Sequence, residues 1–203
     1  AIAYSDAITT VSQSYADEIL TASFGCGLDG FLRYHKNKLT GIINGIDNEH
    51  FTPSHDKLLE YPFANLTEKK LNKKSYLKEK SLKGITKPLF IFIGRFTQQK
   101  GVDLLINSLE QIASSDCNIA ILGDGEEIYQ EKIMKIVNEY DNIHFEFKYN
   151  EVLSHQMYAA ADFLLMPSLF EPCGLNQMIA MIYGSIPIVH KVGGLKDTVH
   201  DYK

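Results

Sequence analysis

Residues 89–109 read LFIFIGRFTQQKGVDLLINSL, an apolar run followed by a polar loop and then a periodic pattern. The run Leu89–Ile93 has the length and composition of a buried strand, and apolar residues recur at helical spacing from Val102 to Leu109. A strand that passes through a short loop into a helix is the repeating unit of a parallel sheet with helices on its faces. This stretch therefore predicts an α/β fold.

The same alternation continues toward the end of the chain. Four more strand-like runs follow, namely Asn118–Leu122, Ile143–Phe145, Phe163–Met166 and Ile186–Val189. Helical patterns lie between them, at Tyr129–Tyr140 and in the segment after Glu171. Strict alternation predicts a Rossmann-like parallel sheet with helices on both faces. In such a sheet ligands bind beyond the carboxyl ends of the strands, so the loops there are where a site is expected.

The N-terminal part has a different organisation. Ala7–Val11 reads as a short strand, and Ser12 or Ser14 could cap a helix that runs to Leu20. Residues 25–47 are punctuated by glycines, and Asn44-Gly45 predicts a sharp turn near a domain junction. We expect residues 1–40 to be the remnant of another domain with a linker, and residues 41–203 to form the main domain, truncated at its C-terminus.

The composition of the chain argues against a nucleic-acid-binding protein and against a membrane protein. The chain has 203 residues, 45% of them hydrophobic, which suffices for one domain with a proper core. A net charge of −5 and a pI near 5.8 argue against a general nucleic-acid surface. No apolar run approaches bilayer length, so no membrane association is expected. The lysine-rich stretch 67–80 is interpreted as a solvated helix face.

Cysteine usage points to a reducing compartment. Cys26, Cys117 and Cys173 are odd in number and far apart, with no C-x-x-C pair. Neither a disulfide framework nor a zinc site is predicted from them. Cys173, near the start of a helix, is better interpreted as a small packing residue than as a nucleophile.

Two cations precede the helix that begins near Val102. The free N–H groups of a helix start carry partial positive charge, so Arg95 and Lys100 there favour a bound anion such as phosphate. The alternative is that both side chains face solvent or pair with Asp103 or Asp124. The pair Gly193-Gly194, which opens the last helical segment, is another candidate phosphate cradle.

Residues 168–178, SLFEPCGLNQM, place Glu171 between a buried strand and a buried helix, where a charge must be solvated, paired or bound. The G-x-G-x-x-G pattern at 25–30 lacks a preceding strand and does not predict a nicotinamide site. The chain contains no D-x-D motif, so no metal is expected. A diphosphate would have to be held by cationic side chains and backbone N–H groups.

The ordered set of motifs resembles the C-terminal half of the bacterial glycogen synthase and plant starch synthase family, retaining glucosyltransferases of the GT-B fold. The motifs are Thr10–Ser12, Asn44–Asp47, Gly94-Arg95 with Gln99–Gly101, Tyr149 ahead of Ser154-His155, Glu171–Leu175 and Gly193–Leu195. The resemblance implies a nucleotide-sugar-binding domain at 41–203, with ADP-glucose (or UDP-glucose) as donor and no other cofactor. It also implies an α-1,4-glucan acceptor and a cytoplasmic location, or a plastid one in a plant.

The resemblance also implies roles for particular residues. Arg95 and Lys100 would grip the donor pyrophosphate, and Glu171 would contact the glucose hydroxyls; these three form the implied catalytic set. The implied substrate-binding residues are Tyr149, which would stack on adenine, and Cys173, Gly174, Leu175, Gly193 and Gly194. For Tyr149, a core aromatic at a strand end is the structural alternative.

The sequence departs from the family in places. Ile179 stands where related enzymes often carry a second glutamate, and Asn176 where a threonine is common. The K-x-G-G-L loop that the family carries in its N-terminal domain has no counterpart, and Gly193-Gly194-Leu195, which follows the last predicted strand, is a different element. Two other readings stay open: another retaining GT-B enzyme of the sucrose- or trehalose-synthase type, and a non-catalytic nucleotide-binding module.

Overall fold

A computed structural model describes residues 2–201 of the chain. The strands of this part are β1 (Ile8–Thr10), β2 (Leu39–Gly41), β3 (Leu89–Phe96), β4 (Asn118–Gly125), β5 (Ile143–Phe147), β6 (Phe163–Met166) and β7 (Ile186–Val189). The helices are α1 (Gln13–Glu18), α2 (Asp29–Tyr34), α3 (Leu66–Glu79), α4 (Val102–Ala113), α5 (Glu127–Val137), α6 (Glu151–Ala160), α7 (Asn176–Ile182) and α8 (Gly193–Thr198).

The main sheet has five strands in the order β5-β4-β3-β6-β7, and every neighbouring pair is parallel. Chain connections run outward from β3 in both directions, as in a doubly wound sheet. All carboxyl ends therefore meet at one edge. The predicted α/β class with a parallel sheet is confirmed, and all five predicted strands are present.

Helices cover both faces of this sheet, and side chains of the central strands alternate between them. Leu89, Ile91 and Ile93 belong to the core beneath α3, α6 and α7. Phe92 and Phe96 belong to the core beneath α4 and α5. Burial on both faces explains why these strands read as continuous apolar runs in the sequence.

The two central strands extend further than their apolar runs predict. Pairing of β3 with β4 continues through Gly94↔Gly123 and Arg95↔Asp124 to Phe96↔Gly125. Backbone hydrogen bonds between neighbouring strands do not depend on apolar side chains, so the ladder extends into the polar segment. Arg95 is consequently a strand residue, which corrects its predicted place at a helix start. Lys100 does precede α4, in the short 3-10 helix Gln98–Lys100.

In the N-terminal part, β1 and β2 form a separate parallel pair. Ser12 caps α1, since its hydroxyl accepts the Tyr15 N–H at 3.1 Å, and the helix ends at Glu18 rather than at Leu20. Ser14 instead binds Asp197 of α8, through its N–H at 2.8 Å and its hydroxyl at 2.5 Å. The domain division at residue 40 falls within β2 and stays a prediction.

The sharp turn expected at Asn44-Gly45 is absent, because residues 42–47 contain no turn. The chain turns instead at residues 48–50. There the Asp47 carboxylate accepts the N–H groups of Glu49 and His50, at 2.9 and 3.1 Å. An aspartate that binds the backbone two and three residues ahead creates a turn by itself, and so displaces it from the glycine.

The lysine-rich helix α3 is only partly a solvated face. Leu71 and Lys78 are exposed as expected, but Lys69 and Lys73 are buried. The Lys69 ammonium donates to the carbonyl oxygens of Tyr158 and Ala159 at the end of α6. Terminal carbonyls of a helix need donors, and a long apolar stem lets a lysine supply them from a buried position. The interpretation as a fully solvated face was wrong for these two lysines.

Other expectations from the sequence have structural counterparts. All three cysteines are free thiols, with Cys117 and Cys173 buried and Cys26 exposed. The G-x-G-x-x-G pattern at 25–30 follows α1 and a series of turns, without a strand leading into it. Within residues 2–201 no helix has both the length and the apolar character needed to cross a membrane.

Candidate active site

The loops that follow β3 and β6 touch each other at the carboxyl edge of the sheet. The Leu169 N–H donates to the Gln99 carbonyl at 2.9 Å. Gly101 adopts a left-handed conformation (φ +68°), and a Cβ there would overlap the carbonyl oxygen of Pro167. Only glycine satisfies both the backbone angle and the close approach. This contact sets Lys100 beside the segment that carries Glu171.

Lys100 and Glu171 form an ion pair, with Nζ 2.5 Å from Oε2. The Ser168 hydroxyl donates to the same oxygen at 3.1 Å. Only 8% of the Glu171 side chain is exposed, so these two contacts compensate a carboxylate held away from water. The acid predicted to be paired or bound is therefore paired with a cation of the same site.

Arg95 lies at the carboxyl end of β3, on the same edge, and is exposed. The ion pairs found in residues 2–201 do not include it, although Asp124 is its neighbour across the ladder. Asp103, the other suggested partner, accepts the Tyr129 hydroxyl at 2.8 Å. Arg95 is thus a cation that faces solvent at the place where ligands bind in such sheets.

The segment Cys173–Leu175 brings the start of α7 to the end of β3. The Asn176 side chain donates to the carbonyl oxygen of Ile93 at 2.7 Å. Gly174 is left-handed (φ +74°) and Leu175 is exposed. Cys173 is buried, which agrees with its interpretation as a packing residue. Ile179, which replaces the second acid of related enzymes, lies in the core.

The glycine pair at the start of α8 is engaged by the protein itself. The Gly193 N–H donates to Glu18 Oε1 at 2.7 Å, and the Gly194 N–H to the Glu171 carbonyl at 2.9 Å. A Cβ at Gly194 would overlap the carbonyl of Cys173. The physical reason for small residues here is the close docking of α8 against the Glu171 loop. Both N–H groups therefore already have protein acceptors, and a role of the pair in binding phosphate or substrate stays a prediction.

Tyr149 follows β5, at the carboxyl edge but on the outermost strand. With 64% of its surface exposed it is not a core aromatic, so that alternative is wrong. An exposed aromatic ring next to a ligand-binding edge is available for stacking. The next residue, Asn150, caps α6 by accepting the Leu153 N–H at 3.0 Å.

A buried polar network joins a residue before α3 to one in α6 and one after α7, and the sequence patterns did not predict it. Oδ2 of Asp56 is 2.7 Å from Nδ1 of His155 and accepts the Tyr183 hydroxyl at 2.5 Å. All three side chains are buried. Burial, followed by the hydrogen bond to Asp56, raises the pKa of the Tyr183 hydroxyl. Asp56 and His155 are 99 residues apart, and no local pattern could have paired them.

Residues 73–203 match the profile of the family described as "Glycosyl transferases group 1", and residues 1–34 match that of the "Starch synthase catalytic domain". The chain belongs to the group 1 glycosyl transferases. Within that class it is 44% identical over 204 residues to a glycogen synthase of Cellvibrio japonicus, covering 98% of the chain and 42% of the relative. A glycogen synthase of Clostridium botulinum is 45% identical over 206 residues, covering 100% of the chain and 43% of the relative.

Among solved structures, the catalytic domain of starch synthase IV from Arabidopsis thaliana, bound to ADP and acarbose, superposes with a TM-score of 0.93 at 40% identity. That match covers 98% of this chain and 42% of the plant one. The predicted GT-B fold class and the resemblance to glycogen and starch synthases are both confirmed. The chain spans about two fifths of the length of the curated relatives it matches.

Proposed function

We propose that the chain supplies the donor-nucleotide half of an α-1,4-glucan synthase. The enzyme would transfer glucose from ADP-glucose to the nonreducing end of a glucan with retention of configuration. The observation that carries the proposal is the Lys100–Glu171 pair at the carboxyl edge of the sheet, with Arg95 at the end of the adjoining strand. The glycogen synthases at 44–45% identity and the structural match solved with ADP support it.

The proposed chemistry needs positive charge where the diphosphate leaves. As the bond from the glucosyl carbon to the phosphate oxygen lengthens, negative charge develops on the diphosphate and positive charge on the sugar. Arg95 and Lys100 would stabilise the leaving group most strongly in the transition state, which is the condition for raising turnover. The cationic groups act without a metal, in keeping with a chain that has no D-x-D motif.

Glu171 and Lys100 would change partners when the donor binds. In the ligand-free protein each neutralises the other. A diphosphate near Lys100 would take over the ammonium, and the sugar hydroxyls would then donate to the Glu171 carboxylate. A charge pair that is already assembled needs little reorganisation to receive a substrate carrying both an anion and hydroxyl donors.

Tyr149 and the start of α7 would complete the donor site. The exposed Tyr149 ring is the proposed stacking partner of adenine. The N–H groups of Gly174 and Leu175 are proposed to face a phosphate. No cofactor besides the donor is invoked, and we place the enzyme in the cytoplasm, or in the plastid of a plant.

The proposal is tested by calorimetric titration of this chain with ADP, ADP-glucose, UDP-glucose and GDP-mannose. We expect weak binding of ADP and ADP-glucose, weaker binding of GDP-mannose, and ADP binding that is at least about tenfold weaker in Lys100→Met. The matched control is Lys196→Met, an exposed lysine on α8. Undetectable ADP binding at millimolar concentration would refute the site assignment.

A second assay separates binding from transfer. The acceptor hydroxyl must be aligned with the glucosyl carbon and water must be excluded, and closure of two domains supplies both in enzymes of this kind. Since the chain matches only 42% of the length of its relatives, we expect it to bind ADP but to incorporate no labelled glucose into glycogen. Robust incorporation would contradict the two-domain argument.

A further inference from the structure

Three side chains that the proposed function does not use come together beside α6. One potential ligand atom from each of His50, Glu151 and His155 lies within 4.8 Å of the other two. Glu151 and His155 are four residues apart in α6 and so share one face of that helix. His50 comes from the turn created by Asp47, far away in the sequence. The cluster therefore joins a loop to a helix.

Two of the three side chains are accessible and already in contact. His50 Nε2 is 3.1 Å from Glu151 Oε1, and the two side chains are 44% and 55% exposed. Two ligands of one tetrahedral zinc ion, each about 2.0–2.1 Å from the metal, are about 3.3 Å apart. The spacing of this pair is therefore close to what a shared cation needs.

The third side chain is held rigidly. The His155 ring is 1% exposed, and its Nδ1 lies 2.7 Å from Asp56 Oδ2, which leaves Nε2 as the nitrogen free to bind a cation. The Phe51 ring stacks on it with centroids 5.0 Å apart. A carboxylate behind a histidine is the arrangement by which metal-binding imidazoles are fixed in tautomer and orientation. The Asp56 carboxylate would fix the tautomer and orientation of the His155 ring in this way.

We propose that His50, Glu151 and His155 bind a single divalent transition-metal ion of the zinc type. Two imidazole nitrogens and one carboxylate oxygen suit zinc, whereas calcium and magnesium prefer oxygen ligands alone. Three protein ligands leave one coordination position for solvent. The ion would tie the loop around His50 to the first turns of α6, which begin two residues after Tyr149. The ion would hold that loop in one conformation, and no step of glucosyl transfer passes through the ion.

The experiment is a calorimetric titration of the chain with zinc, repeated with cobalt so that the visible absorption of the bound ion reports its coordination. A Cys26→Ser background removes the exposed thiol as a competing ligand. We expect one ion per chain, with at least about tenfold weaker binding in His50→Ala and in Glu151→Gln. Both substitutions replace exposed side chains, so the fold is retained.

The matched control is His55→Ala, an exposed histidine of the same loop that lies outside the cluster, and it should bind zinc as the parent does. Binding should also weaken on acidification, because imidazole must be neutral to ligate. Absence of stoichiometric zinc binding, or equal affinity in His50→Ala and the parent, would overturn the proposal. No nucleotide is present in the titration, so its result is independent of the donor site.

Discussion

The Lys100 ammonium lies 2.5 Å from the Glu171 carboxylate, although 71 residues separate them in the chain. Each residue therefore masks the charge of the other until a ligand arrives. Removal of one partner changes the charge that an incoming anion meets. A neutral residue in place of Lys100 and a neutral residue in place of Glu171 should therefore change the affinity for an anion without a sugar in opposite directions.

The first prediction concerns ADP affinity. Lys100→Met should weaken ADP binding about tenfold or more, because a charge-assisted contact to phosphate is lost and Glu171 stays unneutralised. Glu171→Gln should tighten ADP binding, since the Lys100 ammonium is then free to meet the phosphate. Titration calorimetry on both variants checks this. Equal weakening in both would show that the pair acts as one structural unit.

A second prediction concerns the backbone contact between the two loops. Gly101→Ala should destabilise the fold by about 2 kcal/mol or more, because φ is +68° and the new Cβ would overlap Pro167. The control is Gly45→Ala, where a Cβ meets nothing within 4 Å and φ is not left-handed. Denaturant unfolding measures both. A Gly101→Ala midpoint equal to that of the control would contradict the tight approach of these loops.

The third prediction follows from the buried Lys69. Burial lowers its pKa from 10.5 to about 7, with Asp162 opposing and Lys73 adding to the shift. Between these two values the unfolded chain binds a proton that the folded chain does not. The contribution of Lys69 to the free energy of unfolding therefore increases as pH rises from about 7 toward 10.5, by up to about 1.4 kcal/mol per pH unit.

Lys69→Met removes that contribution. The stability of the parent relative to the variant should rise as pH increases from about 7 toward 10, whatever constant offset the lost contacts to Tyr158 and Ala159 impose. Lys70→Met, its exposed neighbour, should show no such trend. Denaturant unfolding at several pH values decides the matter, and parallel curves for parent and Lys69→Met would contradict it.

The fourth prediction concerns Tyr149. Base–aromatic stacking is worth about 1–3 kcal/mol, so Tyr149→Ala should weaken ADP binding by a factor of about 5 to about 160. Because the ring is 64% exposed, the denaturation midpoint should not change. Tyr61→Ala, an exposed tyrosine before α3, is the control. Unaltered ADP affinity in Tyr149→Ala would remove this residue from the donor site.

Much of the fold follows from local pattern. The apolar runs that begin at Leu89 and Asn118 are buried on both faces, and such strands cannot be mistaken for half-exposed ones. The periodic apolar residues of α4 likewise face one core. Since helix and strand periods depend on near neighbours, the sequence alone determined the class of the fold, its strand order along the chain and the edge where a ligand is expected.

Only the tertiary structure decided which side chains and backbone groups of distant segments contact each other. Glu171 is paired because the loops after β3 and β6 touch. The N–H groups of Gly193 and Gly194 have acceptors because the Glu18 carboxylate and the Glu171 carbonyl lie next to them. Lys69 is buried because the end of α6 needs donors. Each of these contacts joins segments far apart in the chain. Their partners are set by how the elements pack, and the periodicity of any one segment carries no information about the segment that will cover it.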